Sequence, residues 1–529
     1  MKYKYYILVA CLSAFLSSCS DFLDTEPDDF LSLTYYETED QLEYALAGVY
    51  DILGNTAFYG QQYICRMGNE ADEGYFNREE VMEGPQVYNF STSDNIVQGL
   101  WKILYDGINR ANLVLASLEQ KPAVDPLLAD RIKGETLFLR AYYYFILVEH
   151  WGDVPLILSP AVDLKNKEVG RTPSEKVYEQ IIGDMDLAED LVQSATEAGF
   201  GGRVTKSAVR GILARVCLRM AGNPLNDESR YAEARSWAKK VIDDTESGHR
   251  LHPDYSQVFI NYAQDKYDIK ESIWEVEFWG NAQNSYRETG RVGAWLGLRS
   301  ESEEIGLAYG HISATAYLYR LYDTGDLRRD WAIAPYTYGK DGSHIPRPEA
   351  IGFDAWKRYC GKWRREYETV YPRANNATSQ NFPLLRYSDV LLMFAEADNA
   401  VNHGPTQEAY NAINLVRRRA FRLLDVNGKT DLTQPESCDL SGLNETSFQE
   451  EIMNERSREL CFEALRKQDL IRWGKLVENM KNIENLIDME YSGQFFVLAF
   501  RNVSQRHLLF PIPAREMILN KKLTQNPQW

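Results

Sequence analysis

Apolar positions recur every three or four residues through long stretches of this chain, a spacing that predicts amphipathic helices. Leu42, Leu46 and Val49, with Ala45 between them, mark a helix that begins near Thr38 and ends at Gly54. Trp101, Leu104, Tyr105, Ile108, Leu113 and Leu115 mark a second over about 100–118. Leu137, Ala141, Tyr144, Phe145 and Val148 place one apolar face on a third over about 127–149, which Trp151-Gly152-Asp153-Val154-Pro155 stops. A fourth opens at the capping sequence Thr172-Pro173-Ser174-Glu175 and runs to about Leu191.

Further on, a layout repeats. A helix over 206–220 is broken at Gly222-Asn223-Pro224 and followed by a partner over 231–242, with Ala232, Ala234 and Ala238 for close approach. Downstream, a helix over 386–401 breaks at His403-Gly404-Pro405 before a partner over 406–419. Two helix–turn–helix units of this size resemble tetratricopeptide repeats. A last helix pair covers about 447–481. Between the units, 247–383 is rich in Gly, Pro, Trp and Tyr, has strand-like pieces such as Ser272 to Phe278, and lacks a sustained helical face. The expected fold is mainly α, with tetratricopeptide-like hairpins carrying an irregular, loop-rich insertion that contains short strands.

The first residues read differently. Lys2 and Lys4 precede an apolar run from Tyr5 to Leu16, then Ser17 and Ser18 precede Cys19. A cationic start, a short apolar middle and small residues at a cleavage site make a secretory signal, and the run is too short to span a bilayer comfortably. Leu16-Ser17-Ser18-Cys19 resembles the lipobox of bacterial lipoproteins, so cleavage is expected before Cys19 and acyl chains on its sulfur. Residues 1–18 are then the signal peptide and 19–36 an acidic tether. They lead into helical parts over 37–246 and 384–529, either side of the insertion over 247–383.

The formal charge of the 529-residue chain is −19, and loss of Lys2 and Lys4 with the signal takes it to −21. With no basic stripe to offset it, that charge disfavours nucleic acid as a partner. Cys65, Cys217, Cys360, Cys438 and Cys461 match no zinc spacing. Cys217 and Cys461 sit in helical apolar patterns, as buried free thiols do. Of the 33 Tyr, 21 Phe and 11 Trp, half or more are expected in the core of a large helical protein, and Trp and Tyr that cluster outside the helical period suggest flat binding platforms.

Ordered segments along nearly the whole chain resemble the SusD/RagB-like nutrient-binding lipoproteins of bacterial outer membranes. They include Cys19-Ser20-Asp21-Phe22-Leu23-Asp24, Leu100-Trp101-Lys102-Ile103-Leu104-Tyr105, Phe138-Leu139-Arg140-Ala141-Tyr142-Tyr143 and Trp151-Gly152-Asp153-Val154-Pro155. Arg386-Tyr387-Ser388-Asp389-Val390-Leu391, Glu455-Arg456 with Glu459-Leu460, and Arg472-Trp473-Gly474 continue the series. Gln528 stands where the family usually has Gly. The resemblance implies about four helical hairpins and a variable portion that holds ligand. It implies a surface-exposed, lipid-anchored lid over a SusC-type TonB-dependent β-barrel transporter, which receives a glycan or, in some members, a peptide or other nutrient. It implies a binding protein and not an enzyme.

Charged residues in the matching segments, such as Arg386, Asp389 and Glu396, are expected to be structural, and Trp101, Trp151 and Trp473 to be core. Ligand contacts are expected from segments that do not match. One, over 69–78, offers Asp72, Tyr75, Phe76 and Arg78; the other, over 279–299, offers Trp279, Asn281, Asn284, Tyr286, Arg287, Trp295 and Arg299. Aromatic rings stack on sugar faces while carboxylates, amides and guanidiniums bond the hydroxyls. Catalytic contexts are weak: no nucleophile elbow or phosphate loop appears, and only His249 and His252 lie close among seven histidines. A lipid-anchored carbohydrate-active enzyme stays as the alternative. No cofactor is expected beyond the lipid on Cys19, no metal ligand set stands out, and no spacing demands a structural calcium.

Overall fold

A computed structural model describes residues 36–120, 123–160, 168–282, 289–347, 352–429, 438–493 and 495–529. Cys19 and the rest of the signal and tether up to residue 35 lie outside these, as do Asn284, Tyr286 and Arg287. The chain folds mainly into helices, with few and short strands.

Helix α1 (Glu39–Gly54) begins at a reciprocal cap: the Thr38 hydroxyl accepts from the Gln41 N–H, and the Gln41 side chain bonds back to the Thr38 backbone. Leu42, Leu46, Val49, Ile52 and Leu53 form its buried face. Helix α2 (Asn95–Glu119) starts more than a turn earlier than its apolar stripe suggests, because Asp94 accepts from the N–H groups of Ile96 and Val97. Helix α3 (Pro126–Trp151) is capped by Asp125 and opens on a proline. Every residue of α3 from Gly134 onward is buried, not one face alone. Contacts with α1, α2 and the following helix surround it. Helix α4 (Ser174–Leu191) has Pro173 at its cap position, with no side-chain bond from that residue. The cap comes from further back, where Asp153 accepts the Ser174 N–H at 2.8 Å.

The two repeated units form as helices α5 (Lys206–Ala221) with α6 (Arg230–Ile242), and α7 (Tyr387–Asn402) with α8 (Gln407–Ala420). From α2 to α8 each helix packs on the next, and α6 meets α7 although about 145 residues separate them in the chain. Helix α9 (Glu445–Leu460) packs on α7 and α8, and α10 (Leu476–Tyr491) follows the short helix Arg466–Arg472. Cys217 on α5 and Cys461 just after α9 are buried free thiols.

Among the described residues the strands form three antiparallel pairs: β1 (Gly74–Phe76) with β3 (Ile312–Ala314), β2 (Ser272–Val276) with β6 (Phe382–Arg386), and β4 (Tyr336–Tyr338) with β5 (His344–Pro346). Strand β2 stops short of Phe278, whose N–H is taken by the Asn381 side chain at 2.9 Å. The β2–β6 pair brings the two ends of the loop-rich region side by side, with Ser272 opposite Arg386 and Val276 opposite Phe382.

A buried ionic hub ties this region to the end of α9. Arg386 donates to Glu459 at 2.9 Å, Glu271 at 3.1 Å and Glu463 at 2.8 Å. Arg328 holds Asp326 and Glu455, each at 2.6 Å, and Glu459 at 3.1 Å. Arg419 and Lys362 complete the set on Glu459 and Glu463. Burial would raise the Glu455 carboxyl, but Arg328, Arg458 and Arg417 outweigh it and hold it down to about 2. Asp389 is likewise held down to about 2, against burial, by Arg456 and Arg215. Glu396 is bound by Arg472 and by the Trp473 indole N–H. These family-like charges are structural members.

Candidate ligand-binding site

The antiparallel pairing of β1 with β3 sets Tyr75 opposite Ser313 and Phe76 opposite Ile312. The ladder continues past both ends: Asn77 N–H donates to the His311 carbonyl at 2.8 Å, and Thr315 N–H to the Glu73 carbonyl at 3.1 Å. Phe76 is thereby laid against the loop that precedes β3. Its ring stacks on His311 at 5.1 Å and 16°, and Tyr309 stacks on the same imidazole at 5.3 Å and 12°. Trp295 meets His311 edge-on at 4.8 Å. The backbone explains why Trp295 stays there: its carbonyl accepts the His311 N–H at 3.0 Å, and the Tyr309 N–H donates to Ala294 at 2.7 Å.

Gly310 lies between the two stacked rings at φ +57°, in the left-handed region. A Cβ there would meet the Arg299 Cβ and the Tyr359 ring, each at 2.9 Å, so only glycine fits the turn. Its carbonyl accepts from Asn77 Nδ2 at 2.8 Å, which fixes strand and loop together.

Two guanidiniums flank the rings. Arg66, on the short helix Gln62–Arg66, lies 5.7 Å from the Phe76 centroid and 5.5 Å from that of Trp295. Arg78 donates to Asn77 Oδ1 at 2.9 Å and to the Tyr309 carbonyl at 2.5 Å. Trp295, Tyr309, His311, Arg66 and Arg78 are all half-buried, so the cluster reaches solvent. Burial first, then Arg78 and Arg66, push the His311 imidazole down to about 3, so it is neutral at ordinary pH. Arg66 Nε, Trp295 Nε1 and His311 Nδ1 are buried without a hydrogen-bond partner, as is Gln62 Oε1.

Beside this cluster a cleft of about 300 Å³ is lined by Tyr75, Phe76, Arg78, Arg299, Lys357, Tyr359 and the Phe495–Leu498 turn. The structure thus brings Tyr75, Phe76, Arg78, Trp295 and Arg299 to one part of the surface. Their roles differ. Tyr75 is buried, with its hydroxyl on the Trp356 carbonyl. Arg299 is exposed and held by Glu301 at 2.8 Å. Asp72 lies beneath the surface, bound by Arg466 at 2.7 and 2.8 Å and by Asn479 at 2.9 Å. The whole of 67–76 is buried; Arg466, Ser457 and the Phe462 N–H satisfy Asp72 and Glu73, while the carboxyl of Glu70 has no hydrogen-bond partner and burial raises it. The segment is a strut where the sequence suggested an open loop. Trp279 is 47% exposed and does not line the cleft. Asn281 is buried and donates to the Pro372 carbonyl at 2.8 Å.

Sequence reasoning passed over Arg66, Tyr309 and His311. The Tyr309-Gly310-His311 triplet carried a signal, a glycine between two rings in a region without helical period.

Comparisons with known proteins match this architecture. The SusD family model matches residues 270–529, and a second, described as starch-binding and associating with the outer membrane, matches residues 21–218. A solved SusD homolog from Bacteroides thetaiotaomicron superposes with a TM-score of 0.86 at 30% identity, covering 94% of this chain and 98% of that one. The chain belongs to the SusD family. SusD-like protein P25 of Formosa agariphila is 28% identical, over 99% of this chain and 98% of its own. The starch-binding protein SusD of Bacteroides thetaiotaomicron is 23% identical, over 98% of this chain and 97% of its own. The family-like segments read from the sequence therefore mark true membership. Association with the outer membrane is the family's described setting.

Proposed function

We propose that this chain is a lipid-anchored binding protein of the outer-membrane surface that captures a glycan and passes it to a SusC-type TonB-dependent transporter. The observation that carries the binding reading is the half-buried trio of Tyr309, His311 and Trp295, stacked through His311 on the buried ring of Phe76. Flat apolar faces beside hydrogen-bonding groups suit a sugar ring, which is apolar on its faces and polar around its rim. The starch-binding name of a full-length relative supports the same class of ligand. A lipid on Cys19 followed by the acidic tether would hold the body close to a partner in the membrane, at a high effective concentration. The role is capture without turnover.

The test uses the full chain in nonionic detergent, run through gels containing individual polysaccharides while the mixture is assayed for released sugars. Saturable retardation without product is the expected result. Product release would replace binding by hydrolysis. Pull-down from outer membranes in mild detergent should bring down a large β-barrel protein, and its absence would remove the transport half of the reading.

A further inference from the structure

The polar groups around the stacked rings are unevenly supplied. Arg66 Nε and Trp295 Nε1 are donors with no acceptor, and His311 Nδ1 has no partner either. An unsatisfied buried donor is costly to a fold, and these meet in one half-open place. Among the described residues neither Arg66 nor Arg78 has a carboxylate within salt-bridge distance, and Lys357 on the adjoining cleft has none either. Elsewhere most buried arginines of this chain carry carboxylates, as Arg328, Arg386, Arg419, Arg466 and Arg472 do, whereas buried Arg364 has its donors taken by the carbonyls of Gly361, Asp330 and Trp331. The carboxylates near the site are poorly placed to neutralise it. Glu70 is near enough to feel Arg66 but makes no ion pair with it, and burial raises its carboxyl far above the usual range; Glu79 stands exposed at the cleft edge, and Glu301 is already on Arg299. Local positive charge is the more telling because the chain as a whole carries −19 and repels anions at long range.

Resting on the glycan reading above, we infer that the ligand at this cluster is an acidic glycan. It would present a carboxylate of a uronic acid, or a sulfate ester, to Arg66 and Arg78 while its ring lies on Trp295 and Tyr309. A planar guanidinium matches either oxyanion with two parallel hydrogen bonds. Lys357, whose ammonium rests 4.1 Å from the Phe353 ring, extends the cationic path into the cleft, where a following acidic residue of the polymer would lie.

The test pairs charged and neutral forms of the same polymers. Polygalacturonate and alginate are run beside their carboxyl-reduced forms, and carrageenan beside its desulfated form, against the full chain in nonionic detergent. Retention of at least one acidic member, with its neutral twin bound at least about tenfold more weakly, is expected, and the polymer retained tells carboxylate from sulfate. Arg66→Gln and Arg78→Gln should each weaken that binding by about tenfold to a hundredfold. Arg66→Lys should recover part of it, and melting temperatures show that each variant is folded. The Arg66 side chain makes no hydrogen bond among the described residues, so Arg66→Gln tests charge with little effect on the short helix that carries it. Binding of neutral polysaccharides alone, unchanged in the variants, would overturn this inference and leave the glycan reading standing. Acidic binding indifferent to both arginines would overturn the assigned site. Binding to no polysaccharide, neutral or acidic, would bring down both readings.

Discussion

The hub at the end of α9 and the aromatic cluster beside β1 are both built around arginines, yet one is closed and the other open. In the hub, Arg328, Arg386 and Arg419 each meet at least two carboxylates, and Glu459 alone serves all three. Every guanidinium there is paired with carboxylate, and only Arg419 Nε is left without a hydrogen bond. In the cluster, Arg66 and Arg78 lie on or beside rings with no carboxylate partner, and neighbouring N–H groups are unsatisfied. Desolvated charge is tolerable only when it is paired. The difference that counts is charge pairing: the hub arginines are neutralised within the fold, and Arg66 and Arg78 at the half-buried cluster are not.

The largest expected effect breaks the closed side. Glu459→Ala would leave three buried guanidiniums short of a partner and should cost roughly 3–5 kcal/mol in urea unfolding. A loss below about 1 kcal/mol would mean that water already enters the hub. Acid attacks the same pairs. Asp389 and Glu455, held at about 2 when folded, add stability that is complete above the ordinary carboxylate range and lost as pH falls from about 4 to 2. Each is worth about 2–3 kcal/mol. Glu73, Glu149 and Glu275 act in the opposite sense, because burial raises each to about 7. Their contribution is present below their unfolded values and fades as pH rises towards 7. His150, His249, His311 and His507, which burial pushes down to about 3 or 4, work against that fade, because their contribution is whole above about pH 6.5 and is lost as pH falls. The melting temperature should accordingly change little between about pH 5 and 6.5 and fall steeply below about pH 4; an unchanged melting temperature at pH 3 would contradict the buried pairs.

The open side answers to smaller changes. Gly310→Ala forces a Cβ into Arg299 and Tyr359 at a positive φ and should cost about 1–2 kcal/mol in stability. Ligand retention should fall more sharply than that, because Tyr309 and His311 turn with it. Trp279→Ala, at an exposed ring outside the cleft, should shift stability by no more than about 0.5 kcal/mol and leave retention intact. If retention is lost there, the platform lies elsewhere in the loop-rich region.

The contrast also explains what could be read from the chain. Helices α1 and α2 were legible because Leu42, Leu46 and Val49, or Trp101, Leu104 and Ile108, repeat at the helical period. Local rules also foresaw structural roles for Arg386, Asp389 and Glu396. The start of α4 was legible in place but not in mechanism, since its cap comes from Asp153 and not from the Thr172-x-x-Glu175 motif. The aromatic cluster was half legible. Phe76, Arg78 and Trp295 stood out as rings and charges in irregular segments, but β1 meets β3 across more than two hundred residues, and no local spacing reports that. Asp72 misled for the same reason, as its partner Arg466 is 394 residues away. Arg66 carried no signal, because its meaning comes from the carboxylate it does not have.

The clasp of β2 on β6 has one more consequence. The chain leaves the row of helices at Ser272 and rejoins it at Arg386, and these two residues face each other across one ladder. Whatever length or shape the intervening segment takes, the helices on either side see the same two strand ends, because closing a longer loop adds little cost. Inside the clasp the segment is pinned again where Ile312–Ala314 meets β1 and where Arg328 and Lys362 reach the end of α9. A designer could therefore rewrite the loops between these pins, while α7 stays packed on α6.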